Sequence, residues 1–116
     1  MSSLEIARAA ASALDSKLGR DIKIIKIADL TVIADYFVIA TGTSNTQVKA
    51  LASEVEHKLE EQGLRPLRSE GAESALWMLL DYGSVVVHVF RPETREFYSL
   101  ERLWADGEEI ETGFEE

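Results

Sequence analysis

The residues best placed for chemistry form a turn at positions 41–44, Thr-Gly-Thr-Ser, between an apolar run and an amphipathic segment. A strand that turns through glycine into a helix can bind phosphate, because free amide groups and the helix dipole attract an anion. The turn lacks the lysine of a P-loop and the three glycines of a dinucleotide-binding loop. A simpler interpretation is that Thr43 and Ser44 cap the helix, with Ser44 and Gln47 forming a capping box.

A glycine–serine turn before a helix is also a feature of nucleotidyltransferases, in which the following strand presents two carboxylates that bind magnesium. Here the following strands offer only Asp81, and the apolar Leu79 stands two residues before it. A nucleotide-binding enzyme of nucleotidyltransferase type is therefore the alternative function, although the carboxylate pair that its metal would need is missing.

Other catalytic and metal-binding chemistry has few residues to draw on. Cysteine is absent and the two histidines are His57 and His88, which excludes disulfides, thiolate metal sites and a histidine-rich metal site. His88 lies among valines and is expected to be packed, whereas His57 lies off the apolar stripe of its helix and is expected to be solvated. No serine, histidine and carboxylate set can be assembled, so the sequence predicts neither an enzyme nor a cofactor.

Hydrophobic spacing predicts the elements that must position these residues. Helices are expected at 3–18 and 44–62, with short helical turns from Pro92 to Glu96 and from Leu100 to Trp104. Strands are expected at 21–27, 36–40, 64–69, 76–82 and 84–90, the last two joined by a hairpin turn. This order predicts an α/β or α+β fold with a mixed sheet of about five strands flanked by helices.

The strand at 76–82 has two unlike faces, because side chains alternate along a strand. One face is apolar, and the other carries Trp77, Leu79 and Asp81. Tryptophan and leucine beside an acid are typical of a protein-binding patch when no helix covers them, and Tyr82 at the turn is expected to extend this patch. If the helix at 3–18 covers this face, the same residues belong to the core, and the pattern leaves both interpretations open.

Length and charge narrow the class of protein. The 116 residues suffice for one domain, and 46% hydrophobic and 28% charged residues are ordinary for a folded chain. The net charge is −9, with six acidic and no basic residues in 106–116. The remaining 15 acidic and 12 basic residues give no positive surplus for phosphates, which disfavours nucleic-acid binding and permits a basic protein partner. We expect a cytoplasmic protein, since no run approaches the roughly 20 apolar residues of a membrane span and no signal peptide is evident.

Four segments, taken in order, resemble the ribosomal silencing factor family, also called RsfS or Iojap. They are ADYFVIATGTSNTQVKALA at 34–52, EG at 70–71, WMLLDYGSVVVHVF at 77–90 and REFYSLERLW at 95–104. The resemblance runs over roughly residues 4–105, so we predict a ribosomal silencing factor domain at 1–105 and an acidic C-terminal tail at 106–116.

The resemblance implies a function by steric exclusion. Members of the family bind large-subunit ribosomal protein fourteen on the surface where the small subunit docks, which blocks subunit joining and represses translation under nutrient limitation. It also implies a homodimer and a nucleotidyltransferase-like fold without the catalytic residues. The family's tryptophan matches Trp77, and its turn matches Asp81, Tyr82 and Gly83. We therefore predict Trp77, Leu79, Asp81 and Tyr82 as partner-binding residues, with no membrane and no sequence-specific nucleic acid as partners.

Overall fold

The computed structural model describes residues 1–112, which form four helices and six strands. In chain order they are α1 (Ser3–Ser16), β1 (Arg20–Lys26), β2 (Tyr36–Thr41), α2 (Asn45–Glu60), β3 (Arg68–Glu70), β4 (Trp77–Asp81), β5 (Val85–Phe90), α3 (Pro92–Tyr98), α4 (Leu100–Leu103) and β6 (Glu108–Ile110). The predicted α+β class with helices beside a mixed sheet is confirmed.

All six strands form one sheet in the order β3-β4-β5-β2-β1-β6. β2 and β5 are parallel, and every other neighbouring pair is antiparallel. From β2 the chain passes through α2 to β3 at the far edge, and then returns through β4 to β5. Because two neighbouring strands are parallel, their last residues, Thr41 and Phe90, lie side by side at one end of the sheet.

The sixth strand was not predicted. β6 lies within 106–116 and pairs with β1, so that Glu108 lies opposite Lys26 and Ile110 opposite Ile24. An opposite-charge pair and an apolar pair across two antiparallel strands both favour pairing. The division of the chain at residue 105 stays a prediction, and residues 113–116 of the predicted tail lie outside the described part of the chain.

One face of the sheet is covered by α1 and α2. The buried residues of this cluster include Ala7, Ala10, Ala11 and Leu14 of α1, Val48, Leu51, Val55 and Leu59 of α2, and Ile24, Val38, Leu80 and Val87 of the strands. The apolar stripes that predicted both helices are the surfaces that they bury here. Alanine side chains on α1 are short enough to let the helix pack closely on its neighbours.

The opposite face of the sheet holds a second, smaller cluster built largely of rings. We call it the aromatic face and define it by Phe37, Trp77, His88 and Phe90, which side-chain alternation along β2, β4 and β5 directs to one side. Leu100 and Trp104 cover part of it. Of the two interpretations left open for Trp77, burial beneath the helix at 3–18 is wrong, because α1 packs on the other side of the sheet.

The loop that leads into β4 depends on a single glycine. Gly71 has a φ of +91°, and a Cβ atom added there would lie 1.9 Å from the backbone oxygen of Trp77. Gly63 also has a positive φ, +79°, but a Cβ atom there would meet no atom within 4 Å. Alanine substitutions at the two glycines therefore distinguish the energetic cost of a positive φ from the cost of a steric clash.

We predict that Gly71→Ala lowers the free energy of unfolding by about 3 kcal/mol or more, because the methyl group displaces the start of β4. Gly63→Ala should cost only about 1 kcal/mol, the penalty of a left-handed conformation. Urea denaturation of both variants measures the difference. Equal losses in the two proteins would contradict the proposed backbone contact.

Candidate protein-binding face

β4 brings three of the four predicted binding residues to one surface. Trp77, Leu79 and Asp81 all lie on the aromatic face, and each is partly buried. Trp77 packs between Phe90 and Tyr98, with ring centroids 4.9 and 4.7 Å away. The expectation that these three residues share one face is confirmed. The indole ring in addition packs against other rings of the same chain, so only part of it is free to contact a partner.

His88 fixes the orientation of that indole ring. The Nε1–H of Trp77 donates to Nδ1 of His88 at 3.1 Å, and the rings of His88 and Phe37 make a T-shaped contact at a centroid distance of 4.7 Å. His88 is 3% exposed, as expected for a packed residue, and burial lowers its pKa from 6.5 to about 4. The imidazole is therefore neutral near pH 7, so Nδ1 has a lone pair with which to accept.

Asp81 has partners within the chain. Its Oδ1 accepts a hydrogen bond from the backbone N–H of Gly83 at 2.8 Å, which holds the β4–β5 turn. Its Oδ2 lies 3.3 Å from Nε of Arg68 on the edge strand β3. The Asp81 side chain is 21% exposed. It therefore stabilises the turn, and only a small part of the carboxylate is accessible to a binding partner.

Tyr82 lies on the other side of the sheet, and the expectation that it extends the face of Trp77 is wrong. Its ring packs against the cluster beneath α1 and α2, because the residue that follows Asp81 in the alternating pattern points the opposite way. Its hydroxyl is buried without a partner in the described chain. Burial, with a smaller effect from the charge of Glu56, raises the pKa of Tyr82 above its ordinary value.

The turn at residues 41–44 uses its donors internally. The side-chain oxygen of Gln47 accepts from the backbone N–H of Thr43 at 2.6 Å and from its hydroxyl at 2.8 Å. The N–H of Gly42 donates to the carbonyl of Phe90 at 2.8 Å. Ser44 accepts from the N–H of Gln47, so the capping interpretation is confirmed, but Gln47 returns its bond to Thr43 instead of Ser44. This arrangement leaves less of the turn available to a phosphate.

Arg95 is a structurally important residue that the sequence did not indicate. It is 8% exposed, its Nη1 donates to the hydroxyl of Thr41 at 2.8 Å, and its Nε pairs with Glu101 at 3.2 Å. These contacts attach α3 and α4 to the end of β2. The sequence around Arg95 contains no pattern that predicts burial of a charged side chain. Thr41 lies beside Arg95 only because of the way the strands are ordered in the sheet.

Residues 1–112 contain neither a metal-binding cluster nor a membrane-spanning helix. No group of three or more histidine, aspartate or glutamate side chains is placed to hold a metal ion. No helix in that range combines the length and the apolar character that crossing a membrane requires.

These features define a small α+β protein with two helices on one face of a mixed sheet and a partly open aromatic face on the other. The family model described as ribosomal silencing factor during starvation matches residues 1–116. The chain belongs to this family, and the resemblance found in its sequence is confirmed.

Individual relatives agree with this assignment. The chain is 40% identical over 111 residues to ribosomal silencing factor RsfS of Halalkalibacterium halodurans, covering 96% of this chain and 95% of the relative. A crystal structure of a Chromobacterium violaceum protein matches with a TM-score of 0.89 at 42% identity, covering 99% of this chain and 95% of that one. A more distant relative is the mouse protein named mitochondrial assembly of ribosomal large subunit protein 1, 35% identical over 96 residues, which are 80% of this chain and 42% of that protein.

We predict that His88 makes stability depend on pH between about 6.5 and 4. In this window the unfolded chain binds a proton that the folded chain does not, so stability falls as the pH falls, by up to roughly 3 kcal/mol in total. Urea denaturation across this range should show His88→Leu with a weaker pH dependence than the wild type. The control His57→Gln, at a side chain 66% exposed, should follow the wild type. Parallel curves for His88→Leu and the wild type would contradict this origin.

For the turn at residues 41–44 we predict no nucleotide binding. A ligand that binds only the folded state raises the melting temperature, so millimolar ATP with magnesium should leave the midpoint unchanged. Differential scanning fluorimetry measures it, with ATP alone and magnesium alone as controls. A rise of several degrees would support the nucleotidyltransferase alternative instead.

Proposed function

We propose that this protein binds the large ribosomal subunit through large-subunit ribosomal protein fourteen and sterically blocks joining of the small subunit, which represses translation under nutrient limitation. The observation that carries the proposal is the family match over the whole chain. The names of its relatives, a ribosomal silencing factor and a protein of large-subunit assembly, support a large-subunit partner. Blocking by occupancy requires a surface and an affinity but no reaction, so the proposed role is not enzymatic.

The aromatic face supplies the proposed contact surface. Trp77 and Leu79 would give apolar contact, and the exposed part of Asp81 would meet a basic side chain of the partner. Tyr82 would contribute indirectly, from the helix-covered side of the sheet, because its packing there helps to hold the turn next to Asp81. The net charge of −9 supports association with a basic protein, through faster encounter more than through tighter contact.

We extend the proposal to the cellular location and the oligomeric state of the protein. The protein would act in the cytoplasm, and in the absence of ribosomes it would form a homodimer. Size-exclusion chromatography with light scattering over a range of concentrations measures the dimer. A monomeric mass at every concentration would contradict the dimer without affecting the proposed ribosome binding.

Sedimentation in a sucrose gradient tests the main proposal. The protein should migrate with purified large subunits and not with small ones. Large subunits saturated with the protein should give a lower yield of joined ribosomes when small subunits are added. Migration with neither subunit, or with the small one, would contradict the proposal. Undiminished joining despite stable binding would contradict the steric mechanism alone.

Leu79→Ala is the sharper variant for the contact surface. Truncating Trp77 would also remove the hydrogen bond to His88 and so reduce stability. Leu79 is partly buried, and its loss from an interface should weaken large-subunit binding by about 1–2 kcal/mol, roughly tenfold. Val32→Ala, a fully exposed change in the β1–β2 loop, should bind as the wild type does. Unchanged affinity in a folded Leu79→Ala protein would remove this residue from the contact surface.

A further inference from the structure

A concave site adjoins the Trp77 end of β4, between that strand and α3. It is a cavity of about 560 Å³, and we call it the Trp77 pocket. Its lining consists of Ser74, Leu76, Trp77, Glu93, Thr94, Phe97 and Tyr98. Four of these seven residues are apolar or aromatic. Only Trp77 was among the predicted binding residues, because the contribution of α3 depends on how that helix returns to the sheet.

Three rings line this pocket in a connected series. Trp77 and Tyr98 lie 4.7 Å apart at an angle of 46°, and Phe97 meets Tyr98 edge-on at 5.1 Å. Phe97 is 80% exposed and Tyr98 51% exposed, while the indole is held from within by His88. Adjacent exposed rings on a small protein indicate a contact site, since such surface gains by leaving water.

The charge beside these rings is negative and unneutralised. Glu93 lines the pocket, and the lining contains no basic residue. The two arginines of this segment are engaged elsewhere: Arg91 donates to Asn45 at 2.6 Å, and Arg95 bonds to Thr41 and Glu101. Within residues 1–112, Glu93 forms no ion pair. A cation entering the pocket would therefore meet a carboxylate that has no competing partner.

We propose that the Trp77 pocket receives a cationic side chain, arginine or lysine, from the ribosomal partner. Aromatic faces attract a cation through their quadrupole, and a guanidinium group can also stack on a ring. The carboxylate of Glu93 adds a direct charge attraction at the rim. This inference rests on the proposed function, since it assigns the kind of side chain that the same surface would bind.

The chemistry of the occupant separates this proposal from simple apolar contact. An aliphatic side chain would gain from burial in the pocket but would be indifferent to Glu93. A cation depends on both the carboxylate and the π systems. Phe97→Leu keeps an apolar surface and removes one ring, and Glu93→Gln keeps the shape and removes the charge. Both sites are exposed, so neither change should unfold the protein.

A probe experiment tests the pocket without the ribosome. The indole Nε1–H signal of Trp77 is followed by NMR while N-acetyl-arginine amide or N-acetyl-leucine amide is added. The arginine compound should shift the signal in a saturable way in the millimolar range, and Glu93→Gln should weaken that response severalfold. No shift with the arginine compound, or an equal shift with the leucine compound, would overturn the proposal.

Affinity for purified large subunits provides the second readout. Phe97→Leu and Glu93→Gln should each weaken binding about three- to tenfold, as expected for one lost cation–π or charge contact. Glu93→Gln should also reduce the dependence of affinity on salt. Glu111→Gln, an equal change of charge at the opposite edge of the sheet, should bind as the wild type does. Wild-type affinity in both pocket variants would overturn the assignment to the ribosomal partner, whereas failure of the wild type itself to bind would overturn the proposed function and leave the NMR result to decide the pocket.

Discussion

The hydrogen bond from the Trp77 indole to the His88 imidazole is the interaction on which the candidate binding surface depends. It requires a neutral histidine, because a protonated ring would present a donor where the indole needs an acceptor. Burial supplies that condition by making the charged form unfavourable. The indole is consequently fixed on one side by a polar contact and on the other by stacking with Phe90, so its remaining surface is displayed in a defined orientation.

The second requirement is that α3 returns to the aromatic face. The contacts of Arg95 with Thr41 and Glu101 achieve this, and they couple the end of β2 to the segment that carries Phe97 and Tyr98. The same end of the sheet contains the glycine turn, where Gly42 allows close packing: a Cβ atom there would lie 2.8 Å from a methyl carbon of Val48. What resembled a ligand-binding loop in sequence is thus explained by helix capping and packing.

Much of this architecture could be predicted from local patterns. The apolar stripes of α1 and α2 and the apolar runs of β4 and β5 were sufficient to predict these elements. Side-chain alternation along β4 then grouped Trp77 with Leu79 and Asp81. Alternation applied one residue further would also have placed Tyr82 on the other side of the sheet. The burial of Arg95 and the contribution of Phe97 to the pocket could not be predicted, because each depends on contacts between distant parts of the chain. β6 was missed for a different reason: its acidic composition suggests a solvated tail, and only its pairing with β1 makes it a strand.

That short acidic strand has a consequence for how the protein can exist at high concentration. An uncovered sheet edge offers unpaired backbone groups to any other extended chain, and charged, short outer strands discourage such pairing. Both outermost strands here, β3 and β6, are three residues long and carry exposed charged side chains. Growth of the sheet by addition of further strands is therefore disfavoured at either end. Because both edges of the sheet are protected against strand addition, the molecule can expose aromatic side chains on the aromatic face without aggregating through its sheet.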